Sequence, residues 1–90
     1  MINKSYGYVI FDDDYCTIAL TQENAIKYIQ NKLLEKTLWI EYVKGRIIDE
    51  GYPKADYSDD FMKDFIRDML IQDPYYFETI YYSEVPLIED

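Results

Sequence analysis

The sequence predicts one α+β domain over residues 1–90: a β-hairpin, two or three helices and a C-terminal strand, in the order ββααβ. Its three strands should form an antiparallel sheet with the helices on one face. Three observations predict this. Segments of β-branched and aromatic residues lie near both ends of the chain, apolar residues recur at helical spacing through the middle, and 90 residues supply only one core.

Tyr6-Gly7-Tyr8-Val9-Ile10-Phe11 is aromatic and β-branched and reads as a strand. Asp12-Asp13-Asp14-Tyr15 follows as a polar turn. From Cys16 to Leu20 the pattern alternates, with Cys16, Ile18 and Leu20 on one face and Thr17 and Ala19 on the other. The two strands make a hairpin, and the apolar face that carries Cys16 is expected to be buried.

Thr21 is placed as an N-cap, and Glu23 sits in the first turn, where the helix dipole favours an acid. Ala25, Ile26, Ile29, Leu33 and Leu34 then recur at helical spacing, continued by Ile40, Val43 and Ile47. Either one helix runs from about 22 to 50 or the helix breaks near Thr37. Trp39, Val43 and Ile47 fit a helical stripe better than a strand. Gly51 and Pro53 stop the segment. Ser58 caps a further helix over 59–72, with Phe61, Met62, Phe65, Ile66, Met69 and Leu70 as its apolar face and Asp73-Pro74 as its end. Tyr75 to Ile88 is strand-like. Pro86 places its end at a sheet edge or outside the sheet.

Charge narrows the function. Eighteen acids against nine basic residues give a net charge of −9. Direct binding to nucleic acid or to an anionic membrane is not expected, because Lys and Arg supply the main attraction in both. Basic partners are favoured instead. The single cysteine, Cys16, permits no internal disulfide, the N-terminus lacks signal-peptide character, and no apolar run spans a bilayer. A cytoplasmic setting is expected.

Catalytic patterns are missing from the sequence. Without histidine, Ser-His, Cys-His and His-ligand zinc arrangements cannot form. Gly7, Gly45 and Gly51 are isolated and make no phosphate loop. Asp12, Asp13 and Asp14 could face a hard cation, but the glycine and glutamate of a calcium loop are absent and three aspartates suit a hairpin turn. The expectation is a non-enzyme with neither metal nor cofactor.

The acids between Asp49 and Asp73 are more informative. Asp60, Asp64 and Asp68 follow i, i+4, i+8 spacing, which sets them in one line about 6 Å apart along a helix axis. Like charges so placed cost a few tenths of a kcal/mol per pair, so the line does nothing obvious for the fold. A solvated face, partly neutralised by the parallel Asp59, Lys63 and Arg67, is one reading. The other is a row of carboxylates, spaced on the order of successive backbone phosphates, offered to a basic groove. Asp56, Tyr57, Asp59, Asp60, Asp64, Asp68, Asp73, Tyr75 and Tyr76 are then the expected contacts, the tyrosines adding interface area. Glu84, Glu89 and Asp90 extend the acidic surface.

In size, acidity, absence of catalytic groups and this aspartate line, the chain resembles the small inhibitors that bacteriophages make against host defence nucleases, namely anti-CRISPR proteins and DNA mimics. The resemblance implies a phage-encoded inhibitor in the host cytoplasm that occupies a nucleic-acid or protospacer-recognition site on a basic nuclease complex. Two other classes stay open. One is a homo-oligomeric or accessory domain that pairs through a sheet edge or its tyrosine-rich last strand, a homodimer included. The other is a small-molecule sequestering protein or a carboxylate enzyme.

Overall fold

A computed structural model describes residues 5–13 and 15–87. Strands β1 (Ser5–Asp12) and β2 (Tyr15–Ala19) form the hairpin. Helices α1 (Gln22–Leu33), α2 (Thr37–Asp49) and α3 (Asp59–Gln72) follow, and β3 (Ile80–Leu87) closes the sheet. The sheet is antiparallel throughout with order β2-β1-β3, so the first strand is central. The α+β architecture is the expected one. Among the described residues, no helix is long and apolar enough to cross a membrane.

Asp13 has φ 50°, the left-handed conformation a tight hairpin turn needs and aspartate tolerates. Asp14 lies outside the described residues, as do Ile88, Glu89 and Asp90. Register then decides which face is buried. The inner row Thr17–Ile10–Tyr82 alternates with the outer row Cys16–Phe11–Tyr81. Ile10, Ile80 and Tyr82 are buried against the helices and fix the inner face.

That register corrects the reading of the hairpin. The alternation of Cys16 to Leu20 holds, but the apolar side faces outward: Cys16 is exposed, and Ile18 and Leu20 are 66% and 71% exposed. The small Ala19 sits on the inner side against the core. Cys16 is therefore a surface thiol and not a buried one.

The middle segment is two helices. One helix over 22–50 would run about 43 Å, against about 27 Å for an eight-residue strand; breaking it lets both halves reach the core. Thr21 Oγ1 accepts the Asn24 amide at 3.1 Å at the start of α1. Leu34 and Glu35 close α1 onto Gln30 and Lys32, and extended Lys36 restarts the chain at Thr37. At the end of α2, Gly51 has φ +100°; its amide bonds Ile48 O at 2.9 Å and the Tyr52 amide bonds Ile47 O at 3.3 Å. This glycine-terminated motif satisfies carbonyls that would otherwise be bare.

The third helix runs as expected, and Phe61 alone of its expected apolar face is exposed. The last strand starts later than the sequence suggests. Asp73 Oδ1 accepts the Tyr75 amide at 3.0 Å, and further turns bond Tyr76 to Asp73 and Glu78 to Tyr75. These turns, with Glu78 at φ 57°, hold residues 75–79 out of the sheet until Ile80. Pro86 lies opposite Tyr6 in β3, an edge strand of the sheet, where proline is tolerated.

The core collects Ala25, Ile26, Ile29 and Leu33 of α1, Val43 and Ile47 of α2, and Met62, Phe65, Ile66 and Leu70 of α3 around the sheet and Phe77. One hydroxyl joins three elements here. Tyr82 donates to Leu70 O at 3.1 Å and accepts from Gln22 Nε2 at 3.0 Å.

Candidate functional site

Helix α3 is the scaffold of the acidic face. Ser58 Oγ accepts the Phe61 amide at 3.1 Å, and Asp59 and Asp60 occupy the first turn, where the dipole favours them. Burial of Met62, Phe65, Ile66 and Leu70 fixes the rotation of the helix. Asp60, Asp64 and Asp68 consequently all stand on its exposed side. Among the described residues, ion pairs within 4 Å join Lys32 to Glu35, Lys44 to Glu41 and Arg46 to Asp49, and none involves α3. Asp59, Lys63 and Arg67 share a line without forming a bridge.

Beside the aspartates lies a shallow groove of about 150 Å³, with Tyr52, Phe61, Phe65 and Met69 as walls and Asp64 and Asp68 at its lip. Its aromatic rings brace one another. Tyr52 meets Phe61 edge-on at 5.6 Å and Phe65 at 6.3 Å, and Tyr57 stacks on Phe61 at 5.1 Å. The Tyr57 hydroxyl donates to Pro53 O, which ties the loop before α3 down onto this wall.

No family model, curated protein or solved structure matches the chain.

The remaining expected contacts lie elsewhere. Asp56 is exposed in the α2–α3 loop, beside a hollow of about 270 Å³ shared with Glu41, Lys44, Gly45, Ile48 and Lys54. Asp73 caps the C-terminal end of α3 and holds the following turn. Tyr75 is 52% exposed, but its ring lies 4.9 Å from Tyr81 on the outward face of the sheet. Tyr76 is half-buried, donates to Glu50 Oε1 at 2.7 Å and lies under the Arg46 guanidinium at 4.7 Å. Burial pushes its phenol up to about 12, and the hydrogen bond to Glu50 adds to the rise. Asp73 and Tyr76 are thus engaged within the fold.

Asp59, Asp60, Asp64, Asp68 and Tyr57 are brought together, then, while Asp56, Asp73, Tyr75 and Tyr76 are not part of the same face. Sequence reasoning missed Tyr52 and assigned Phe61 to the core. Tyr52 carried a readable signal. It follows the stop glycine, at the position whose apolar side chain commonly packs back in such helix ends.

The groove's chemistry is that of a cation receptor. Apolar walls suit the methylene stem of Arg or Lys, aromatic faces attract the cationic head, and two carboxylates at the lip can accept its N–H groups. Among the described residues, no three acidic or cysteine side chains converge on one metal position.

Proposed function

We propose that this chain is a non-catalytic, protein-binding inhibitor whose α3 face occupies a basic nucleic-acid site on its target. The resemblance to phage-encoded anti-CRISPR proteins and DNA mimics makes a host defence nuclease complex the target class. The reading rests on one observation: Asp60, Asp64 and Asp68 stand exposed on one helix, without an ion pair among the described residues, edged by an aromatic groove that fits a basic side chain. Like charges at that spacing work against the helix, so a use outside the fold would account for their presence. The target's Arg or Lys residues, which otherwise hold phosphates, pair with the carboxylates, and one of them seats its stem against Tyr52 and Phe61.

Capture of partners from a bacterial lysate on the immobilised chain tests this reading. The expected catch is a nucleic-acid-binding protein that duplex or guide nucleic acid displaces, and that elutes as salt rises because the association is charge-steered. Partners that remain bound in the presence of nucleic acid and high salt would refute it.

A further inference from the structure

The outward face of the sheet carries side chains suited to burial, yet among the described residues no helix or strand covers it. Strand β1 is apolar on both sides. Ile10 points into the helices, while Val9 and Phe11 point away from them. Cys16 and Ile18 of β2 and Tyr81 and Val85 of β3 share that outer side by register. Phe11 stacks on Tyr81 at 5.0 Å, and Tyr75 extends the aromatic row. Charged residues make up 30% of the chain, yet none of these positions is charged.

We propose that this face is a homodimer interface, with two copies packing their sheets together and their helices outside. A second copy is the occupant that area and symmetry fit, and the absence of acids from this face permits it despite the net charge. Each copy carries −9, so self-association needs a surface where no acid meets an acid, and this face is one. A basic partner gains more from the carboxylates of α3, on the helix side of the sheet. Area is sufficient for a weak dimer. Strands about 4.8 Å apart, rising about 3.4 Å per residue, give a footprint of roughly 15 by 20 Å, and Leu20 and Tyr75 at the margins bring it to about 500 Å² of accessible surface per copy. Two copies then bury about 1,000 Å², below the range of stable specific interfaces and within that of weak, transient ones. Aligned sheet packing supplies the geometry, and a twofold axis supplies closure.

Sedimentation equilibrium of the full chain tests the proposal. The mass should rise from 10.9 kDa towards twice that value as protein approaches about 0.1 mM. Added salt should strengthen the dimer by screening the repulsion of two −9 copies, the opposite of its effect on a basic partner. Ile18→Glu on β2 and Val85→Glu on β3 should each weaken dimerisation by about tenfold or more, with circular dichroism unchanged. Alkylation of Cys16 should slow as concentration rises, a readout that needs no variant. A chain that stays monomeric at high salt would overturn the proposal. So would a dimer that Ile18→Glu breaks and Val85→Glu spares, because that pattern belongs to edge pairing through β2. Concentration-independent alkylation of Cys16 would overturn it as well.

Discussion

Replacing Asp64 and Asp68 together with Asn separates a binding surface from a solvated one. The change keeps side-chain shape, removes two charges at the lip of the groove and leaves the first-turn acids Asp59 and Asp60 in place. Two like-charge contacts disappear, Asp60–Asp64 and Asp64–Asp68, each unfavourable by about 0.2–0.5 kcal/mol. Asn and Asp have similar helix propensities, so the variant should gain about 0.4–1 kcal/mol. That corresponds to roughly 2–8 °C in Tm for a domain of this size. Binding should move the other way. Both carboxylates are exposed, which limits each contact with a cation to about 1 kcal/mol; together they amount to about 2 kcal/mol, or roughly 30-fold in Kd. Thermal melting gives the first quantity, and fluorescence titration of a labelled oligo-arginine peptide across a salt series gives the second. The salt dependence should fall with the affinity. A variant that melts higher and binds the peptide as tightly as the parent, with the same salt slope, would refute the α3 face as a binding site.

Three further outcomes test the fold beneath that face. Gly45→Ala should stabilise the protein by about 0.8–1 kcal/mol in denaturant melts, because the added methyl meets nothing within 4 Å in α2. Tyr82→Phe should cost about 1–2 kcal/mol by the same measurement, since it leaves the Leu70 carbonyl without its partner. The Tyr76 phenol is raised from 10.0 to about 12, so its contribution to stability is full below pH 10 and is lost as pH rises through 12. Melts from pH 9 to pH 12 should therefore show a decline in the parent that is shallower in Tyr76→Phe.

Local signals carried most of the element boundaries. Thr21 and Ser58 announce their helices through the oxygen they offer to a free amide, and Gly51 announces a stop by accepting positive φ. Register is less legible. Cys16, Ile18 and Leu20 look like a buried face because both sides of the hairpin are apolar, and only pairing with a strand more than sixty residues away decides which side meets the helices. Residues 75–79 have strand composition, but Asp73 captures the Tyr75 amide and turns the chain first. The aspartate line was readable from periodicity alone. Its groove was not, because Tyr52 reaches Phe61 only after Gly51 has redirected the backbone.

The central position of β1 has a consequence for synthesis of the chain. Its second edge pairs with β3, from Asp12 opposite Ile80 to Ser5 opposite Leu87. At about 5–20 residues per second, the ribosome needs roughly 4–15 s after Asp12 to deliver the last residue of that partner. Throughout that interval the nascent hairpin presents an open edge of apolar strand, and no helix can settle onto a completed sheet. Folding of this small domain is therefore expected to be a late, nearly all-or-none event, timed by the emergence of residues 80–87 rather than by the helices made before them.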